Sequence, residues 1–252
     1  MTNALFRLKN PPIVEAVFDV DCDLPPGFDL AALERTSRER FGDQYPKSRN
    51  QLIREYKIEE TIDAPLNASS RPAIQAFQFL HNDERELVQV RVQGFSFNRL
   101  APYSGFDDYL PEIERTWRIY VDLVSPVQIR AIRLRYINRI LLPMTSNTLD
   151  LDEFLKIGPR LPDEDNLKLT GFLIQQAAVE DDTKHNVNLV LTDQAPINGT
   201  LPVILDITVT SPAIIEPADW PSMLKSIESL RSLKNRVFLN MLTSKCIELF
   251  QS

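Results

Sequence analysis

The chain has 252 residues, of which 43% are hydrophobic and 25% charged, and its formal net charge is −7. This composition excludes an intrinsically disordered protein, because the hydrophobic fraction is high and the net charge is modest. The acidic balance argues against a protein that coats nucleic acid, since phosphate neutralisation requires an excess of Lys and Arg.

The N-terminal residues and the rare cysteines and histidines set expectations for compartment and chemistry. The start, MTNALFRLKNPP, lacks the apolar core of a secretory signal, and no uncharged apolar run approaches the roughly 18 residues of a membrane span. We therefore expect a cytoplasmic protein. Cys22 and Cys246 are predicted to be reduced thiols packed as small hydrophobic side chains. His81 and His185 fall in predicted hairpin turns and are expected to be solvated.

In chain order, the first half of the sequence predicts a strand, a helix, three strands and a second helix. The opening strand at 14–22 alternates apolar residues with mostly acidic ones, which is the period of a half-buried strand. Asp29 is a predicted helix N-cap, and Gly42 a predicted helix end. The remaining elements are a helix at 30–41, strands at 52–61, 73–80 and 87–95, and a helix at 106–123.

The same order then begins again. The second half predicts a strand at 131–142, a short helix at 151–157, strands at 169–179, 186–191 and 202–210, and a long helix at 219–250. We interpret segments 11–124 and 130–250 as pseudo-repeats from an internal duplication, although antiparallel sheets with helices also produce such an order by chance. The predicted fold class is α+β. One compact body over 1–252 would hold antiparallel sheet with helices on one face and a long C-terminal helix.

Common catalytic motifs are absent from the sequence. It contains no P-loop, no dinucleotide-binding fingerprint, no nucleophile elbow and no zinc-protease histidine pair. We therefore predict no catalytic residue and no cofactor, and we favour a non-catalytic module that binds a ligand or a protein.

Two rows of charged residues form the candidate site. They alternate with apolar residues in the strands that open each half, so they point to the polar side of the predicted sheet. The acidic row consists of Glu15, Asp19 and Asp21, and the basic row of Arg133, Arg135 and Arg139, joined by Arg91 from the first half. If the two opening strands lie side by side, the rows face each other.

Three interpretations of these rows stay open. Ion pairs between the strands would set the register of the sheet. Alternatively, the four arginines would bind a small anion, because an arginine fork matches a phosphate or a carboxylate. In the third interpretation the three carboxylates hold Mg²⁺ and the arginines hold a phosphorylated substrate, as in a metal-dependent phosphohydrolase.

Three segments carry a family resemblance. LKNPPIVEAV at 8–17 resembles the opening motif of a sporadically distributed bacterial family of uncharacterised proteins of about this length. RYIN at 135–138 resembles that family's central strand, and the closing helix from 230 to 243 resembles its C-terminal segment. The resemblance spans the whole chain and implies no assigned activity or catalytic residue. It implies a patchy distribution typical of horizontally moved genes, such as those of defence, toxin or mobile-element systems.

The expected partner is a protein or a small anionic ligand, whereas neither a membrane nor a nucleic acid is predicted. The closing helix has apolar residues on more than one side, including Leu233, Phe238, Leu242 and Leu249. Either these residues form the contact of a homodimer, or the chain's own sheet covers them.

Overall fold

The structure is a computed structural model that describes residues 8–27, 29–59, 67–145, 149–162 and 166–251. These residues form an α+β fold with one nine-stranded antiparallel sheet and four α-helices. The strands are β1 (Ile13–Asp23), β2 (Lys47–Glu59), β3 (Asn67–Leu80), β4 (Glu86–Arg91), β5 (Gly94–Leu100), β6 (Gln128–Pro143), β7 (Leu173–Val179), β8 (Asn186–Asp193) and β9 (Thr200–Ile215). The helices are α1 (Leu30–Phe41), α2 (Phe106–Val124), α3 (Trp220–Met241) and α4 (Ser244–Glu248).

The sheet is built outward from the two strands that open the halves of the chain. β1 and β6 pair with each other, and each pairs on its other side with a late strand of its own half, β5 or β9. The full order is β2-β3-β4-β5-β1-β6-β9-β8-β7, and all neighbours are antiparallel. The two opening strands therefore lie side by side at the centre of the sheet.

Alternation along the central strands directs one set of side chains into the core. Phe18 and Val20 of β1 are buried, as are Leu134 and Tyr136 of β6. They belong to one hydrophobic cluster that also contains the buried stripes of α2 and α3, namely Ile113, Trp117, Tyr120, Met223, Ile227 and Leu230. Since fully burying one such side chain stabilises a fold by roughly 1.5–3 kcal/mol, this shared cluster is the main source of stability.

Polar contacts at the helix starts follow the local sequence signals. Asp29 Oδ1 accepts a hydrogen bond from the Ala32 N–H at 3.1 Å, which confirms the predicted cap of α1. Asp219 Oδ1 caps α3 by accepting a hydrogen bond from the Ser222 N–H, also at 3.1 Å.

A side chain in the middle of α2 connects this helix to the loop before α3. Trp117 Nε1 donates a hydrogen bond to the carbonyl oxygen of Pro217 at 3.0 Å.

The predicted strand at 87–95 is two strands in the structure. β4 ends at Arg91 and β5 begins at Gly94, so that Val92 and Gln93 form a two-residue turn. Neither residue is typical of turns, and both continue the apolar–polar alternation of the strand. The change of chain direction was therefore not predicted from the sequence. The first half therefore has four strands after α1, one more than predicted.

The predicted helices of the second half also differ from the observed ones. The predicted helix at 151–157 is only a 3-10 turn at Leu151–Glu153, because Leu155 leaves it to form a bridge with Leu242. That bridge holds Leu242 in an extended conformation, which interrupts the predicted long helix at 219–250 and separates α3 from α4. Among the described helices, none is long and apolar enough to cross a membrane.

Strand boundaries shift by several residues from the predictions. β2 begins five residues before the predicted start at 52, β3 begins at Asn67 and β7 at Leu173. Residues 60 and 61 of the strand predicted at 52–61 lie outside the described residues. These shifts leave the predicted order of strands in the second half unchanged.

The apolar residues on several sides of the closing segment are covered within the chain. Leu233, Phe238 and Leu242 are buried in the core, and Leu249 packs against it. Of the two alternatives for these residues, the one observed in the structure is coverage by the chain's own core.

Candidate functional site

The charged rows meet across the pair formed by β1 and β6. In this pair Asp19 lies opposite Arg133, and Val17 lies opposite Arg135. Because successive side chains of a strand point to opposite sides, these residues lie on the side of the sheet opposite Phe18 and the core. We call this side the polar face. Its members used below are Glu15, Asp19, Asp21, Gln78, Gln89, Arg91, Ser96, Asn98, Arg133, Arg135, Arg139, Asn188 and Asp206.

Asp21 joins three strands through two arginines. Its Oδ2 accepts hydrogen bonds from Arg133 Nη1 at 2.7 Å and Nη2 at 2.5 Å, and its Oδ1 accepts one from Arg91 Nη2 at 3.0 Å. The Arg91 guanidinium also donates to the carbonyl oxygens of Val20 and Phe95. About a quarter of each of the three charged side chains is exposed, namely 24% for Asp21, 23% for Arg91 and 27% for Arg133. The cluster is therefore a partly buried ion-pair network that links β4, β1 and β6.

The other two members of the acidic row, Asp19 and Glu15, accept hydrogen bonds from neutral polar groups of β5. Ser96 Oγ donates to Asp19 Oδ1, and Asn98 Nδ2 donates to Glu15 Oε1 at 2.6 Å. Ser96 and Asn98 are themselves buried, although they lie on the polar face. Their buried polar atoms are satisfied by these hydrogen bonds, which is the usual condition for burying such groups.

An amide relay extends this network towards the β2 edge. Gln89 Nε2 donates to Asn98 Oδ1 at 2.8 Å, and Gln78 Nε2 donates to Gln89 Oε1 at 2.8 Å. Arg49 Nε then donates to Gln78 Oε1 at 2.6 Å. Polar side chains are thus hydrogen-bonded across the face from β2 to β1.

Arg135 and Arg139 of the basic row donate hydrogen bonds to residues outside β1. Arg135 forms a bidentate pair with Asp206 of β9, with Nε donating to Oδ1 at 3.0 Å and Nη2 donating to Oδ2 at 2.6 Å. The hydrogen bonds to Asp206 raise the pKa of the Arg135 guanidinium above its ordinary value. Arg139 Nε donates to Gln194 Oε1 at 3.1 Å. Sequence reasoning missed Asp206, although its outward place in the alternation of LPVILDITVT was visible.

The contacts on the polar face correspond to the first of the three interpretations. Arg91, Arg133 and Arg135 each have a carboxylate partner, and Arg139 has an amide partner. A bound anion would have to compete with these acceptors for the same donors. The anion site remains a prediction, and in the structure each of these four arginines already donates at least one hydrogen bond to a protein acceptor.

The three carboxylates of the acidic row do not fit a magnesium ion. Glu15 and Asp19 are four residues apart on an extended strand, which separates them by about 13 Å at roughly 3.3 Å per residue. Each carboxylate also has its own protein partner. Among the described residues, no group of three His, Cys, Asp or Glu side chains could hold a metal ion. We therefore derive no catalytic step through such an ion.

A second polar cluster, which sequence reasoning missed, lies between α2, β6 and α3. Tyr109 OH donates to Tyr103 OH at 3.1 Å, and the hydroxyls of Tyr103 and Tyr136 are 3.4 Å apart. The Lys234 ammonium lies 3.9 Å from the centre of the Tyr136 ring. Burial, followed by the charge of Arg231, lowers the pKa of Lys234 to about 7. The only sequence signal was that Tyr136 and Lys234 both belong to segments of the family resemblance.

The two histidines have different environments. His81 is partly exposed, and its Nδ1 lies 2.8 Å from Asp83 Oδ1, which agrees with the predicted turn position. His185 was predicted to be solvated, and this prediction is wrong, because the residue is only 6% exposed. Burial lowers the pKa of His185, and the nearest Glu180 oxygen is 3.9 Å from its Nδ1. The tight turn before β8 folds His185 inward, which local sequence did not indicate.

The three segments of the family resemblance contact one another through RYIN, because Glu15 lies opposite Ile137 and the Lys234 ammonium lies 3.9 Å from the centre of the Tyr136 ring. The Asn10 N–H donates to the carbonyl oxygen of Phe250 at 2.9 Å, which joins the opening motif to the end of the chain. The Arg139 N–H donates to the Pro12 carbonyl oxygen at 2.8 Å, which joins the same motif to β6. The residues that precede β1 thus connect it to the end of the chain and to β6.

Comparison with known proteins adds no functional assignment to this geometry. No protein-family model matches the chain, and no curated protein matches it.

Proposed function

We propose that the chain is a non-catalytic binding module that recognises a partner protein through the polar face. The observation that carries the proposal is the pairing within that face, where arginines suited to binding an anion are bound to carboxylates, as in Asp21 with Arg133 and Arg135 with Asp206. Paired charges held on a sheet form a pre-organised pattern that favours specific recognition over chemistry.

The exposed part of the polar face has the character of a protein-binding surface. The Arg135 side chain is 46% exposed, Asn188 is exposed, and Leu141 on the same side of β6 is 46% exposed. Protein interfaces commonly combine arginine, neutral polar groups and scattered apolar contacts. This mixture supports a protein partner more than a small anion, which would require several unpaired donors.

We also infer that the two halves of the fold arose by duplication and that the helices lie on one side of the sheet. In each half the opening strand pairs with the last strand, and the remaining strands follow outward in reverse chain order. The buried residues of α2 and α3 share one cluster with the buried residues of the strands. Under this inference the second half has lost one strand and has a 3-10 turn where the first half has α1.

The proposal is tested by blocking the polar face. Tagged wild-type protein, an Asn188→Arg variant and an Asn235→Arg variant would be used to capture proteins from cells that express the chain. Asn188 is exposed on β8, whereas Asn235 is exposed on α3, so the two variants carry the same substitution on different surfaces. We expect one defined protein to bind the wild type and Asn235→Arg and to be lost with Asn188→Arg.

Two other results would replace the proposal with one of the alternatives. A rise in melting temperature with phosphate or a nucleotide, abolished by Arg135→Ala, would favour a small anionic ligand. Magnesium-dependent hydrolysis of a phosphorylated substrate, lost in Glu15→Gln, would favour an enzyme.

A further inference from the structure

The strand β7 forms an unprotected edge of the sheet. It is the last strand in the sheet order, and within the described part of the chain no strand pairs with its outer side. Its sequence, LIQQAAV, contains no charged residue and no proline, and its ladder with β8 has no register shift. Leu173 at its start is 69% exposed, and Val179 at its end is 56% exposed.

The opposite edge of the sheet differs in the features that prevent strand pairing. β2 carries Lys47 and Arg49, and its ladder with β3 has a register shift between Gln51 and Leu52. Charges and bulges on an edge strand are the usual protection against pairing with another chain. Because one edge has them and the other lacks them, β7 is the edge available for an added strand.

Hydrogen bonding at the β7–β8 turn shows which backbone groups of β7 face outward. The Glu180 N–H donates to the carbonyl oxygen of His185 at 2.9 Å, so this position at the end of the ladder is one at which the two strands are hydrogen-bonded. In an antiparallel ladder such positions recur at every second residue. Residues 174, 176 and 178 therefore bond to β8, and residues 173, 175, 177 and 179 direct their N–H and C=O groups away from the sheet.

This outward set is complementary to itself. If two copies of β7 run antiparallel with Gln176 at the centre, Leu173 of each copy lies opposite Val179 of the other, and Gln175 lies opposite Ala177. All the outward groups then find partners, with roughly two backbone hydrogen bonds for each opposed pair. Apolar residues meet at both ends, Gln176 meets its own counterpart at the centre, and no like charges are opposed.

We propose that a second copy of this chain docks on β7 and continues the sheet across a two-fold axis. The contact uses the same strand on both copies, as required for a closed symmetric dimer. It also gives the exposed side chains of Leu173 and Val179 a partner of matching character. The dimer leaves the polar face open on both copies and does not depend on the proposed function.

The central position of Gln176 provides the test. In this register Gln176 lies opposite itself, and its side chain is exposed in the single chain, so a charged residue there is compatible with folding. Gln176→Lys and Gln176→Glu each place like charges opposite each other in a dimer, whereas their mixture places opposite charges there. Asn235→Lys on α3 adds the same charge away from the edge and serves as the control.

The measurement is the molar mass of the purified protein as a function of concentration, by sedimentation equilibrium. We expect the wild type and Asn235→Lys to approach twice 28.9 kDa at high concentration. Each Gln176 variant alone should dimerise about two- to fivefold more weakly, and the equimolar mixture should recover the dimer. A wild type that stays monomeric at all concentrations would overturn the proposal. So would a dimer unaffected in both single variants, or a mixture that fails to recover.

Discussion

Asp21 shows how a single residue holds the polar face together. One carboxylate accepts hydrogen bonds from Arg91 of β4 and Arg133 of β6, so it stabilises the packing of strands on both sides of β1. Each guanidinium is partly removed from water, and without the carboxylate its charge would be left incompletely solvated. Asp23, two residues along the same strand, pairs with Arg130, but both side chains are about half exposed.

We predict that Asp21→Asn lowers the free energy of unfolding by about 1–3 kcal/mol, because two partly buried guanidinium groups lose their charged acceptor. The matched variant Asp23→Asn should lower it by less than about 0.5 kcal/mol, as expected for an exposed pair. Urea denaturation of both variants measures the difference. Equal effects of the two substitutions would show that the network around Asp21 contributes no more than a surface ion pair.

Lys234 is the residue whose protonation should couple most clearly to folding. Burial lowers its pKa from 10.5 to about 7 in the folded chain. Between these two values the unfolded chain binds more protons than the folded one, so the contribution of Lys234 to stability becomes more favourable as pH rises. Below about pH 7 the ammonium is charged in both states, and the full cost of burying it remains.

We predict that Lys234→Met raises the free energy of unfolding at pH 7. This gain should shrink by pH 9, because folding then requires less free energy to deprotonate the Lys234 ammonium. Lys225→Met, on an exposed position of the same helix, is the control and should show no such change with pH. Denaturation at both pH values gives the comparison. A gain that is the same at pH 7 and pH 9 would contradict a lowered pKa for Lys234.

At the scale of elements, the β4–β5 turn shows how tightly the central strands are packed. Gly94 begins β5 opposite Asp21, and its φ is +151°. A Cβ atom at this position would lie 2.0 Å from the carbonyl oxygen of Val20, which belongs to the backbone of β1. The close approach of the two strands is therefore possible only because residue 94 has no side chain.

We predict that Gly94→Ala lowers the free energy of unfolding by about 3 kcal/mol or more, because a backbone atom of the central strand must move. Gly27→Ala is a suitable comparison, since Gly27 also has a positive φ, +76°, but no atom lies within 4 Å of the added Cβ. That change should cost only about 1 kcal/mol of backbone strain. Thermal or urea denaturation would distinguish them, and a similar loss for both would show that conformation rather than contact limits residue 94.

At the scale of the whole molecule, one cysteine lies in each half of the sequence, so the reactivity of the two thiols can be used to follow the unfolding of each half. Cys22 lies in β1 and Cys246 in α4, and both are free and buried, as predicted. Burial raises the pKa of each thiol to about 12, so the reactive thiolate is scarce in the folded chain near neutral pH. Because β1 and β6 pair at the centre of one sheet, we expect the two halves to unfold together.

We predict that both thiols react with a thiol reagent only when the molecule unfolds, and with the same dependence on urea. The variants Cys22→Ala and Cys246→Ala isolate the two signals. Labelling rates at rising urea concentration measure the opening of each site. Reaction of Cys246 at urea concentrations that still protect Cys22 would mean that the halves unfold separately.

The sequence by itself determined the elements whose signals are local. Alternation identified β1, β6, β8 and β9, and the N-cap at Asp29 marked the start of α1, because side-chain period and capping depend on neighbouring residues. It also placed the charged residues of β1 and β6 on one side of the sheet. The same local reasoning failed where a non-local contact prevailed, as in the bridge between Leu155 and Leu242 that interrupts the closing helix.

Only the tertiary structure decided which charges meet. Alternation shows that Arg135 points to the polar face, but its partner Asp206 is 71 residues away along the chain and reaches it only because β9 pairs with β6. The burial of Lys234 beside Tyr136 arises in the same way, from the packing of α3 against β6. The physical reason is that periodicity sets the direction of a side chain, whereas strand order and helix packing set its neighbours, and those depend on the free energy of the whole core.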